Sequence, residues 1–498
     1  MISSLHRPCI ALAISLLWLV GCTTNPADSS SAQTCQTQLA ALQDAVARHS
    51  VQDAQYAPVD GFATYRTSRF WSSFNGTKLN QEQERAWRQQ LHNLGMTSLA
   101  IEWRALPPTA KEPLTPFNDF RRQCDAELFQ ASLHQPLPPT AVTVADSYSS
   151  WQRFFGLYAL IKYGAAGSIE EYQQDMRQRI EAVTTPTEPL LRLTPPANPG
   201  SITRPIPAAD WLHAAYQSHP LSVPILPAAQ RQQLIQAHAP VFAIAQQSLA
   251  DRPGAAQWNP TGQQRRINTD LPTVYSDSSY IRYGDRILLQ LNYTLWFPER
   301  PKPTPNDWYG GELDGLVWRV TLQENGTVLF YDSIHPCGCY HSVHIPMDSP
   351  LQQQLTHIAN QDTLEPIMAF STHLKADEHP ASLMVEAATH YLVHVDKPSA
   401  DSGQRYQLQD YDQLRSLPAG DNVKNWFDSD GLIASSSRRE RYFLWPLGVP
   451  NAGAMRQRGH HAIAFVGKRH FDEASVEQLL ELGAGIIPGT EKQPSAAD

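Results

Sequence analysis

The chain has 498 residues, with 39 Lys and Arg against 48 Asp and Glu, a formal net charge of −9. That balance argues against nucleic acid or an anionic membrane face as a partner, since either would favour basic clusters. Hydrophobic residues, 42% of the chain, are ample for a globular core; the length suggests two to three domains, and the 39 prolines imply long ordered connections rather than compact helix bundles.

Arg7 followed by the apolar run Ile10 to Val20 reads as an export signal. The run is too short to span a bilayer as a mature helix, which needs about 20 apolar residues. It ends in Leu19-Val20-Gly21-Cys22, which resembles the lipobox of bacterial lipoproteins. The resemblance implies that residues 1–21 are removed as a signal peptide and that Cys22 is lipidated to become the new N-terminus. Thr23, where inner-membrane lipoproteins commonly carry Asp, implies a lipid-anchored protein on the periplasmic face of the bacterial outer membrane. Residues 22–34 are small and polar, as suits a tether.

Four cysteines lie beyond Cys9 and Cys22, and an oxidising compartment makes disulfides the default expectation. Cys35 sits on the stripe Cys35–Leu39–Leu42–Val46, and Cys124 on Phe117–Phe120–Cys124–Leu128–Ala131. Both have helical spacing, so a structural Cys35–Cys124 bridge pinning two helices is expected. Residues 35–183 read as a helical domain. Asn80 with Gln83 forms a capping box ahead of Trp87, Leu91 and Leu94, and Gly95 is expected to stop that helix. A further helix carries Trp151, Phe154, Phe155, Tyr158 and Ile161, and Ser168 with Glu171 caps another. The proline-rich segment 184–207 reads as a linker or a long surface crossing. Residues 208–269 read as a helical connection, with short helices around Trp211 and between Pro240 and Ala250.

From residue 270 the pattern changes. In residues 286–297, Ile287, Leu289, Leu291, Tyr293, Leu295 and Phe297 face one way, with Gln290, Asn292 and Thr294 opposite. That is the alternation of a half-buried antiparallel strand. Gly284-Asp285 and Asn325-Gly326 are hairpin signals flanking it and its successor. Leu383 to Asp396, Arg441 to Leu447 and His461 to Gly467 are further strand candidates. The expected fold class is α+β, a mostly helical N-terminal half before a mainly antiparallel β-rich domain over 270–472. A short helix and flexible tail occupy 473–498.

The returning strand after Asn325-Gly326 leads into "HPCGCYHSVH". His335, Cys337, Cys339 and His341 alternate, and in a flat strand the outer two would lie roughly 20 Å apart, too far for one ion. Pro336 and Gly338 make a curled loop the better expectation. Curled, two thiolates and two imidazoles suit Zn or Cu(I), with His344 able to replace a ligand. The alternatives are a closed Cys337–Cys339 disulfide without chemistry, or a thiol–disulfide exchanger. A cupredoxin-like Cys339–His344–Met347 set lacks its upstream histidine, the nearest before His335 being His238. His390 and His394 are spaced for a helix but lie in strand-like text. Glu312 with Asp314 is a weak carboxylate pair, and Trp308 and Tyr309 could belong to a glycan-binding shelf. There is no Gly-x-Ser-x-Gly elbow, phosphate loop or Rossmann glycine pattern.

From "LDGLVWRVTL" through "YDSIHPCGCYH", and again at "GAMRQRGHHAIAFVGKRHFD", the chain resembles a family of uncharacterised proteobacterial envelope proteins. The resemblance implies a bacterial envelope context and assigns no role to any residue. The expected function is therefore a periplasmic lipoprotein attached to the membrane through its N-terminal lipid. It either carries a Zn or Cu site in the loop or serves as a structural or interaction protein with an envelope protein or glycan partner.

Overall fold

The computed structural model describes residues 26–182, 187–197, 206–359, 363–398 and 403–482. Cys22 and residues 23–25 lie outside them, as does the tail from residue 483; the rest of the expected tether, Pro26 to Thr34, is not extended chain but the start of a helix. The fold is α+β, with helices mainly in the N-terminal half and a β-rich C-terminal half of mostly antiparallel sheets.

Helix α1 (Pro26–His49) buries Cys35, Leu39, Leu42 and Val46; strand β1 (Phe62–Thr67) follows, then α2 (Gln81–Ala105) and α3 (Phe117–Leu133). The expected bridge joins Cys35 on α1 to Cys124 on α3, with the two Cα atoms 5.4 Å apart. Asn80 and Gln83 form the expected capping box at the start of α2. Gly95 does not end α2, which runs ten residues further. A Cβ at Gly95 would lie 1.9 Å from the carbonyl oxygen of Thr64, so the glycine admits β1 against the helix.

Two helices, α4 (Ser150–Phe155) and α5 (Tyr158–Glu181), replace the single helix expected around Trp151, and Ser168 lies inside α5 rather than capping a new one. The proline-rich segment contains strand β2 (Leu190–Thr194). Helices α6 (Ala208–Ser218) and α7 (Ala228–Ala237) follow, and the second expected helix is instead strand β3 (Val241–Ala245), every residue of which is buried.

The β-rich part contains β4 (Thr273–Tyr283), β5 (Arg286–Arg300), β6 (Gly311–Leu322), β7 (Val328–Ile334), β8 (Ser342–Ile345), β9 (Met368–Ser371), β10 (Ser382–Val385), β11 (Leu392–Asp396), β12 (Gln404–Arg405) and β13 (Gln407–Asp410). Both expected hairpins form: β4 returns as β5 with Tyr283 opposite Arg286, and β6 returns as β7. One sheet has the order β9-β8-β7-β6-β5-β4-β13; a second has the order β11-β10-β3-β2-β12. The segment 441–447 is helical rather than a strand, and 461–467 contributes only an isolated bridge between Ala462 and His470.

The two sheets share one core. Leu291, Tyr293, Leu295 and Trp318 from the larger sheet meet Phe242, Ile244 and Leu383 from the smaller. The opposite face of the larger sheet is covered as well, by the N-terminal helical part and by the chain after residue 410. Asp53 pairs with Arg415, Gln457 Nε2 donates to Gln55, and Tyr148 OH donates to the Arg469 carbonyl. The polar row Gln290, Asn292 and Thr294 is therefore buried rather than solvated.

Candidate functional site

The sequence-derived loop bends as expected. Gly338 has φ +89°, His335 N donates to the Cys339 carbonyl at 3.0 Å, and Gly338 N donates back to the His335 carbonyl at 2.8 Å. The turn sends the chain from β7 into β8 alongside it. The four proposed ligands, however, point to different places. Among the described residues no group of three or more His, Cys, Asp or Glu side chains is arranged to hold a metal ion.

His335 joins a buried chain of acids and imidazoles. Its Nε2 donates to the His390 carbonyl at 3.1 Å, and its Nδ1 lies 3.2 Å from Asp314 Oδ1. Neither nitrogen is left to take a cation. His390 Nδ1 lies 2.8 Å from the other Asp314 oxygen, and its Nε2 is 3.4 Å from Asp251. Burial pulls His390 down, but Asp251 and Asp314 outweigh it and leave this imidazole above its usual range. For His335, burial wins over Asp314 and the shift is downward. Phe297 stacks flat on His390 at 3.9 Å between ring centres. Asp314, read as half of a glycoside-cleaving pair, is thus a fully buried structural acid.

His341 turns to Asp332, which also holds Arg319 Nε at 2.8 Å. Cys337 and Cys339 are free thiols in an apolar cluster with Trp296, Trp426 and Met455. Cys339 N donates to Cys337 Sγ at 3.4 Å. The hydrogen bond between the two side chains, reinforced by burial, pushes the Cys339 thiol well above its usual range. Neither sulfur is bonded to the other or set up as a nucleophile. His394, the partner expected for His390, sits on β11 beside Asp396 instead.

What the loop does is hold a wall. The Pro336 carbonyl accepts from Arg456 N at 2.8 Å, and the Cys337 carbonyl from Arg456 Nε at 3.2 Å. A Cβ on Gly338 would lie 2.3 Å from the Ala462 carbonyl oxygen. The arm fixed in this way, Arg456 to His461, closes one side of a cavity of about 680 Å³ between the larger sheet and the N-terminal part. This size lies within the roughly 300–1,000 Å³ of small-ligand pockets.

The floor of the cavity is the polar face of β4 and β5. Asn292 Nδ2 donates to Ser279 Oγ at 3.1 Å, Ser279 Oγ donates to Gln290 Oε1 at 3.1 Å, and Thr294 stands beside them. Trp71 and Tyr280 supply aromatic wall. Several charges are paired inside the site: Arg458 with Asp277, Arg69 with Asp472 at 3.3 Å, and Arg319 with Asp332. Burial pushes the Asp277 carboxyl up to about 6, although Arg458 pulls it the other way. His460 Nε2 donates to the Ala54 carbonyl at 2.7 Å and ties the arm to the N-terminal part. His461, 4% exposed, lines the cavity; its Nε2 has no hydrogen-bond partner in the protein, and burial holds its imidazole down at about 3.

Strand alternation identified the polar row but not its covering, so the cavity was missed. The available signal was the row itself: two amides and a threonine at alternate positions, with Asp277 and Ser279 opposite the amides on the partner strand. Comparison of the chain with family models, with curated proteins and with solved structures found no match.

Proposed function

We propose that this protein is an envelope lipoprotein, anchored through Cys22, whose body binds a neutral polyhydroxylated ligand of the carbohydrate class in the 680 Å³ cavity. The observation that carries the reading is the make-up of the lining: neutral donors and acceptors on Gln290, Asn292, Thr294 and Ser279, beside the ion-paired Asp277 and Arg319, with the rings of Trp71 and Tyr280 elsewhere in the same cavity. Hydroxyl groups need paired donors and acceptors, and the apolar face of a sugar ring packs on aromatic carbon. An anionic ligand would call for uncompensated cations; Arg66, Arg69, Arg319 and Arg458 have carboxylate partners and Arg456 is held by backbone carbonyls, which leaves Arg231 as the lining arginine without an ion pair among the described residues. The unpartnered His461 Nε2 offers one further contact.

The His335–His341 loop then serves as support for the cavity wall, and it is not the ligand site. Isothermal titration against a panel of envelope-derived and simple oligosaccharides tests the reading. A saturable signal that Asn292→Leu weakens by roughly tenfold or more supports it, since a site built to pair hydroxyls leaves them unpaired when an amide is lost. Binding that survives Asn292→Leu, or a panel in which only anions bind, overturns it.

A further inference from the structure

The stripe Trp151, Phe154, Phe155 has the spacing of a core-facing helix, yet it faces water. Trp151 is 63% exposed, Phe154 76%, Phe155 68%, and Leu160 on the next helix 71%. Leu157, between the two helices, takes the left-handed conformation with φ +55° and points outward. Bulky residues adopt that conformation at a cost of about 1 kcal/mol or more, so solvent exposure here is not an effect of relaxed, featureless chain.

The patch extends beyond α4 and α5. Helix α4 is fastened to the segment 441–448: Arg153 Nε donates to the Leu447 carbonyl at 2.8 Å, and Ser149 N to the Gly448 carbonyl at 2.7 Å. That segment adds exposed Tyr442, Phe443 and Trp445. Phe443 in turn packs edge-on against Trp308, 5.5 Å between centres, with Tyr309 at 6.5 Å. One continuous face is thus built from three parts of the chain.

Its charge differs from that of the rest of the molecule. No Asp or Glu occurs from Ser147 to Ile169 or from Arg441 to Phe471, in a chain whose net charge is −9. The cations near the face lie along its rings: Lys162 Nζ is 5.0 Å from the Tyr163 ring centre and the Arg441 guanidinium 4.9 Å from that of Tyr442. Arg439 is exposed beside them. Aromatic side chains with Leu and Ile among them and cations at the edge, the neighbouring acids being Asp307, turned onto the Tyr309 and Gly310 amides, and the buried Glu440, match the headgroup–acyl boundary of a phospholipid layer. We infer that this face docks the folded body flat onto a phospholipid bilayer, independently of the lipid on Cys22 and of any ligand in the cavity.

The test is fluorescence of the full chain reconstituted on phosphatidylethanolamine–phosphatidylglycerol vesicles with and without bromine on the acyl chains. Brominated lipid should quench part of the tryptophan emission, and Trp151→Phe should reduce the quenched part. That difference reads the patch rather than the chain's other tryptophans. Phe154→Glu with Phe155→Glu should abolish it; both residues are exposed, and an unchanged circular dichroism spectrum confirms that the fold persists. Vesicle-bound protein with no bromine quenching overturns the inference while leaving the anchor through Cys22 intact. So does quenching that Trp151→Phe and the double Glu variant leave unchanged, or self-association through this face in place of lipid contact.

Discussion

Asp53 and Arg415 are both fully buried, and they tie the N-terminal part to the edge of the larger sheet. The Asp53 carboxylate also accepts from Ser98 Oγ at 2.9 Å and from Asn425 Nδ2 at 3.4 Å, and Arg415 Nε reaches Oδ1 at 3.1 Å. Arg415 keeps one other carboxylate, Asp412 at 2.8 Å, which is half exposed. Asp53→Asn would turn an amide N–H toward groups that are themselves donors and leave the guanidinium buried with only that partly solvated acid. Removing one member of such a pair costs about 3–5 kcal/mol, because the survivor is an uncompensated buried charge. Replacing both members with apolar side chains removes that penalty, so Asp53→Leu with Arg415→Met should lose less than the sum of the singles, by about 2 kcal/mol or more. Urea unfolding of wild type, Asp53→Asn, Arg415→Met and the double variant measures both quantities. Asp53 also lines the cavity, so the singles should weaken ligand binding along with stability. If each single costs less than about 1 kcal/mol, or if the effects add, the pair does not hold the two parts together as argued.

Three further outcomes follow from the same contacts. Burial pushes the Glu365 carboxyl up to about 7 from 4.5, so its extra stability is complete below pH 4.5 and is lost as pH rises through 7; Glu365→Gln should match wild type near pH 4 and exceed it by about 3 kcal/mol at pH 8, and urea midpoints that run parallel across pH would sink this. Cys337 and Cys339, buried and free, should not react with a thiol reagent in the native protein but should both titrate after unfolding without reductant; fast native reaction, or no thiol after unfolding, contradicts the assigned state. The Cys35–Cys124 bridge spans 89 positions, so Cys35→Ala with Cys124→Ala should cost about 4.6 kcal/mol from loop entropy; an unfolding midpoint indifferent to both cysteines would count against it.

Features written in short stretches were legible. The strand over 286–297, its hairpins at Gly284-Asp285 and Asn325-Gly326, the capping box at Asn80 and the turn at Gly338 all depend on neighbours within a few residues. Two helical stripes sufficed to pair Cys35 with Cys124. Where the reading erred, a distant part of the chain decided. Val241–Ala245 is a five-residue apolar run that suits a buried helix turn or a buried strand equally, and it becomes a strand because β2 and β10 flank it. Gly95 reads as a stop until Thr64, 31 positions earlier, is brought against it. The histidines and cysteines of the loop were legible as a cluster but not as donors with other obligations. Asp314 and the His390 carbonyl, which engage His335, lie 21 and 55 positions away, and Asp332, which engages His341, is in the strand leading into the loop, where nothing local marks it as a partner.

The polar face of β5 and the aromatic stripe of α4 then represent one physical problem with opposite outcomes. Alternation and helical spacing assign residues to a face; they do not say what covers it. Gln290, Asn292 and Thr294 look like a solvated face and are buried because the N-terminal part and the arm 456–461 close over them. Trp151, Phe154 and Phe155 look like a core face and are exposed because α4 is held by its other side, through Arg153 and Ser149, to the segment ending at Gly448. A buried polar row requires hydrogen-bond partners, and an exposed aromatic face requires an apolar one. The first requirement is met by bonds within the row and to its neighbours, such as Asn292 to Ser279 and Gln290 to Thr321, beside a cavity that stays open, and the second is not met by the chain. On the proposed readings, the cavity over β5 takes a hydroxyl-bearing ligand and the exposed face of α4 a lipid surface.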